Sequence, residues 1–147
     1  MEQEYFHSRK DLFERVMMTG VFVGIIITVL ALFFDAIYVQ STGFPFAVYI
    51  NVTSLIFAVN ILFLVFGPMY YGLMKMGRFG EVIYIALIVT ATIFLLVKMK
   101  DINRTNNEHL NAEFRTLLSG IAILISVGAC VLIPVLFHNR KFEKGVL

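Results

Sequence analysis

Apolar residues in this chain neither alternate nor gather on one face of short amphipathic segments. They come in four long, nearly unbroken runs separated by short polar stretches. Runs of about 18 or more apolar residues match the roughly 30 Å hydrocarbon layer of a bilayer, at about 1.5 Å per helical residue. The runs place spans at about 16–35, 46–67, 82–98 and 117–137. Lipid offers no partner for backbone N–H and C=O groups, so a spanning segment is either a helix or part of a closed barrel. Barrel strands alternate apolar and polar positions, and these runs are apolar all round. The chain therefore reads as an all-α, polytopic membrane protein: one domain, a bundle of four transmembrane helices with short loops.

The polar stretches supply the punctuation. Residues 35–45 (D-A-I-Y-V-Q-S-T-G-F-P) predict a short hairpin, with Gly43 and Pro45 as breakers. Residues 75–81 (K-M-G-R-F-G-E) predict a second tight turn, and residues 98–116, rich in Asn and charge, a solvated polar loop on the far side. Gly67-Pro68 predicts either the end of the second span or a kinked cytoplasmic extension as far as Met74, ending being the commoner outcome, because proline removes a backbone donor. Ahead of the first span, Ser8-x-x-Asp11 resembles a capping box. Tyr5, Phe6, Leu12 and Phe13 at helical spacing extend this to a short interfacial helix at about 9–15.

Composition removes the soluble alternative. The chain is 59% hydrophobic and 15% charged, against roughly 45–50% and 25% in ordinary soluble domains, and its mean hydropathy is +0.85. Charge then sets an expected orientation. Arg9, Lys10, Arg15, Lys75, Arg78, Arg140, Lys141 and Lys144 share the side of the termini, and only Lys98, Lys100, Arg104 and Arg115 lie opposite. The positive-inside rule puts both termini in the cytoplasm, and a bacterial inner (plasma) membrane is the expected location. Tyr38 and Tyr49 at one predicted interface, with Tyr70, Tyr71 and Tyr84 at the other, fit an aromatic belt. The charge-mixed N-terminus lacks a cleavage signature, so the first span is expected to be retained. No basic tract points to nucleic acid. A single cysteine, Cys130, excludes an intrachain disulfide and a Cys-rich metal site.

The polar and small residues inside the spans are the candidate sites. Gly20, Gly24, Thr28, Ala31 and Asp35 fall on one arc of the first span, and Ser119, Ala122, Ser126, Ala129 and Cys130 on one side of the fourth. Small residues at this spacing let helices approach closely, so both stripes are read as packing or partner faces, packing within the bundle first. In the second span Asn51 and Ser54 share one side, with Thr53 and Asn60 nearly opposite. Interhelical hydrogen bonds to neighbours on both sides are the expectation, and a polar path the alternative. Asn51-x-Thr53 and Asn103-x-Thr105 match the glycosylation pattern. Asp35 is a possible polar or ion site, and its position at the predicted span end implies a solvated interfacial carboxylate. The middles of the four spans contain no Asp, Glu, Lys, Arg or His, and His7, His109 and His138 do not cluster.

With no nucleophile–base pair, phosphate loop or metal-ligand set in view, no enzyme, cofactor or metal is expected. The function expected is a small non-enzymatic membrane subunit, an assembly or accessory component of a larger complex. Its partners would be membrane lipids and other membrane subunits or further copies of itself. The alternative is a small oligomeric channel or transporter with a polar path along the second span.

Overall fold

The computed structural model describes the backbone of residues 2–43, 51–102 and 107–138, with side chains from Leu12 onward other than Arg78. The expected start of the second span, Pro45, Tyr49, the Asn103-x-Thr105 sequon and the C-terminal basic residues Arg140, Lys141 and Lys144 lie outside the described residues. So do the side chains of His7, Ser8 and Asp11.

The described chain is all-helical: α1 (Glu2–Thr42), α2 (Val52–Met74), α3 (Arg78–Met99), α4 (Glu108–Val127), a π-helical turn (Gly128–Leu132) and α5 (Ile133–His138). The last three run on without a break. Among the described residues four helical stretches are long and apolar enough to cross a membrane: Leu12–Thr42, Val52–Met74, Phe79–Met99 and Glu108–His138. This is a membrane-embedded four-helix bundle. Each helix packs against its neighbours in sequence, and α4 with α5 closes the ring against α1.

Several boundaries differ from the sequence reading. No separate interfacial helix precedes the first span, because α1 is continuous from Glu2. It also runs seven residues past the expected end at Asp35. Nothing between Ala36 and Thr42 breaks a helix, and the stop comes at Gly43, whose φ of +68° suits a left-handed cap. Its N–H donates to the Val39 carbonyl at 2.8 Å. The helix α2 passes through Pro68 to Met74. The proline therefore costs one internal hydrogen bond without ending the span.

The polar loop of 98–116 shrinks from both sides. Asn107 caps α4 by accepting from the His109 N–H at 3.0 Å, and Asn111, Phe114, Leu117 and Ile121 face inward at helical spacing. Residues 108–116 of the stretch expected to be solvated are thus the opening turns of the fourth helix.

Two glycines make the α2–α3 turn. Gly77 has φ +75° and ψ −149°, a region open only to glycine. At Gly80 an added Cβ would strike the Leu73 carbonyl. The π-helical turn has a local cause as well. Pro134 has no N–H for the carbonyl one turn back, and the widened turn lies immediately before it.

Candidate functional site

The α1–α2 seam is built backbone against backbone. A Cβ on Gly20 would lie 2.9 Å from the Phe63 carbonyl oxygen and 3.4 Å from the Gly67 Cα. On Gly24 it would lie 3.0 Å from the Phe63 Cβ and 3.4 Å from Asn60 Oδ1, and on Gly67 3.3 Å from the Val16 carbonyl oxygen. One turn further along, Asn60 Nδ2 donates to Thr28 Oγ1 at 3.0 Å and to the Ile56 carbonyl at 2.8 Å. The Thr28 hydroxyl donates in turn to the Gly24 carbonyl at 2.7 Å. Ala31, fully buried, continues the stripe. The small-residue arc of the first span thus faces the second span of the same chain.

The other polar residues of α2 do not join it. Asn51 caps the helix from outside, its Oδ1 accepting from the Thr53 N–H at 2.9 Å, and Ser54 is exposed. Both are exposed among the described residues, so the face of α2 that they share is not the one that bonds α1 through Asn60. Asn51 lies ahead of the helix because its side chain satisfies a first-turn amide, the ordinary use of Asn at this position.

Asp35 is the largest departure. It is 8% exposed rather than solvated, and its Oδ1 is buried with no hydrogen-bond partner. The reason is the length of α1. With two further turns beyond it, Asp35 lies inside the helical stretch Leu12–Thr42 rather than at its end. The contacts of Gly20 with Gly67, Gly24 with Phe63 and Thr28 with Asn60 keep one antiparallel register. Continued, that register sets Asp35 level with the first turn of α2.

On α4 the close approaches belong to glycines that the sequence reading passed over. A Cβ on Gly120 would collide with the Phe34 ring, and one on Gly128 would lie 2.5 Å from Ile27 Cδ1. Ser119 is half-buried and donates to the Arg115 carbonyl at 2.7 Å. Ala122 and Ser126 line a cavity between α2, α3 and α4 instead of a tight seam. Two polar ties fasten α1 to the last helices. Arg15 Nη2 donates to the Phe137 carbonyl at 2.9 Å, and its guanidinium lies 5.2 Å from that ring's centroid. At the other end the Tyr38 hydroxyl donates to the Glu113 carbonyl at 3.2 Å. A cation on the last carbonyls of a helix is also favoured by the helix dipole.

Tyr70 and Tyr84 form a second buried polar feature. Their rings stack edge to face with centroids 5.0 Å apart, and both hydroxyls are buried without a hydrogen-bond partner. Cys130 is a half-buried thiol. No group of three or more His, Cys, Asp or Glu able to hold a metal occurs among the described residues. The exposed His109 lies 3.6 Å from the half-buried Glu113, one helical turn away.

No protein-family model, curated protein or solved structure matches this chain. Its function must be read from the arrangement of its own residues.

Proposed function

We propose that this protein is a non-enzymatic integral membrane subunit that binds a second membrane protein through the end of the bundle that carries Asp35. One observation carries the proposal. Asp35 is a carboxylate in a helix long and apolar enough to cross a membrane, level with the first turn of α2, nine-tenths buried, with an oxygen that nothing in the described chain bonds. Leaving such a group unpartnered in a low-dielectric setting is costly, and intramembrane carboxylates pair with cationic groups or mark an ion path. A basic side chain on a partner helix satisfies it. We place the chain in a bacterial inner membrane with both termini cytoplasmic, in keeping with the distribution of Lys and Arg.

The same carboxylate favours a second reading, a small oligomeric channel or transporter in which Asp35 attracts a cation. Against it stands the α1–α2 seam, where the mid-span polar groups bond one another and glycines close the gap.

Asp35→Leu separates the two. On the subunit reading the variant keeps or raises its thermal midpoint in detergent, since an unpaired buried carboxylate is removed, yet it loses the protein that co-purifies with the tagged wild type. Unchanged co-purification sinks the subunit reading. On the channel reading, wild-type protein in liposomes conducts a cation and the variant does not.

A further inference from the structure

The helices α2 and α3 are pinched together at one end. Gly80 leaves no room for a side chain against the Leu73 carbonyl, and the Tyr70–Tyr84 stack lies one turn inward. Further along they part, and α4 forms the back wall of a cavity of about 310 Å³. Leu62 and Phe66 of α2, Ala91 and Leu95 of α3, and Ala122 and Ile125 of α4 line it. Alanine at 91 and 122 keeps the slot open. Its hydroxyls come from Thr92 and Ser126, and that of Thr92 already donates to the Ile88 carbonyl at 2.8 Å. A polar ligand finds no purchase there.

The size of the slot selects its occupant. On α3 its lining runs from Leu87 to Met99, which is roughly 18 Å of helix and close to the ~15 Å depth of one leaflet. Spread over that length, 310 Å³ gives a cross-section of roughly 17 Å², enough for one extended hydrocarbon chain. A helix about 10 Å across needs roughly 80 Å². Charge sits at the mouth. At about 100° per residue, Lys98 of α3 and Arg115 of α4 fall on the arcs that line the slot, Lys98 next to its last lining residue Met99 and Arg115 one turn beyond Leu118, whereas Lys100 points the other way. Lys98 Nζ lies 5.9 Å from the Phe94 ring, and Arg115 is held by its Nε bond to the Ile102 carbonyl at 2.9 Å.

We propose that this slot holds one acyl chain of a phospholipid, with the lipid's phosphate beside Lys98 and Arg115. The site lies on a different face of α2 from the α1 seam, roughly 120° round the helix, and stands whether or not Asp35 binds a partner. The lysine also offsets the negative end of the α3 dipole, so the test must read lipid rather than stability.

The full chain is reconstituted in phosphatidylethanolamine–phosphatidylglycerol vesicles containing a phospholipid with a photoactivatable acyl chain, irradiated, and its peptides mapped. Label concentrates on residues 87–99 and 118–126. Ala91→Phe, which fills the slot at mid-length, lowers that label by roughly tenfold or more, and Lys98→Gln lowers it by roughly fivefold, the effect of about one charge at a lipid surface. Label spread evenly over the lipid-facing helices, including Phe33 and Ile37 of α1, overturns the proposal. Unchanged label in a folded Ala91→Phe protein does so too, as does a slot that takes label only after a co-purifying polypeptide is stripped away. Should Ala91→Phe fail to fold, the wild-type map alone decides.

Discussion

Asn60 sits at mid-span, where a side-chain amide is most expensive to leave unbonded, and both of its Nδ2 protons are used inside the bundle. Asn60→Leu removes the bond to Thr28, while Thr28 keeps its own bond to the Gly24 carbonyl. Thermal or denaturant unfolding in detergent should show a loss of about 1 kcal/mol, the scale of interhelical hydrogen bonds in membranes. Unchanged stability would mean that the bond contributes nothing. Tyr70 and Tyr84 predict the opposite sign. Their hydroxyls are buried and unbonded, and such a group costs about 1–3 kcal/mol. Tyr70→Phe and Tyr84→Phe should therefore be neutral or stabilising by the same assay, and a loss above about 1 kcal/mol would reveal an ordered water between them. At this scale the sequence was informative where a polar residue interrupts an apolar run, as Thr28 and Asn60 do. It was silent on Gly120 and Gly128, and it took Gly67 for part of a helix break. A glycine reads as a breaker or a gap until the backbone or side chain lying against it is known.

Among the elements, α1 and α2 make the closest contact, and Gly20 and Gly24 allow it. Gly20→Ile with Gly24→Ile places branched side chains where the structure has a carbonyl and a Cβ within about 3 Å. The helices themselves should survive in lipid, since their hydrogen bonds have no competitor there. The bundle should lose about 3 kcal/mol or more in detergent, read as a lowered thermal midpoint with retained circular-dichroism helicity. A double variant as stable as wild type would show that the seam does not exist. The helix ends were the least legible feature, for identifiable reasons. Asp35 resembles a boundary in hydropathy, yet the residues after it are compatible with a helix and only Gly43 stops it. Asn107 with Leu110, Phe114, Leu117 and Ile121 carries a cap and a helical spacing that can be read in the sequence, but the charges on the other face made the stretch look like loop. Pro68 is tolerated where a soluble helix would have been expected to end, because intact bonds on either side keep the span together.

For the whole molecule, the four runs were enough to establish a helical membrane bundle, because length and all-round apolarity have no other solution in lipid. Burial then distinguishes the helices. In the most apolar window of α1 39% of residues are buried, and in that of α3 only 17%, so α3 is held mainly at its turn and along one edge. Orientation rests on charge alone and can be tested directly. A reporter active only outside the cytoplasm should give no signal when fused after Leu147 and a clear signal when inserted near Asn106. The reverse pattern would invert the topology and place Asp35 near the cytoplasmic face.

The different neighbours of the glycines also dictate which lesions a second mutation can repair. Bulk added at Gly128 meets the Ile27 side chain, and bulk at Gly120 meets the Phe34 ring. In a genetic screen, Gly128→Ala should be rescued by Ile27→Ala, and Gly120→Ala by Phe34→Leu, because the obstacle can be made smaller. Bulk at Gly20 meets the Phe63 carbonyl oxygen and the Gly67 backbone, which every residue possesses and no substitution can trim. Gly20→Ala should therefore yield no allele-specific suppressor on α2, however deep the screen, and reversion to glycine should be its only local cure.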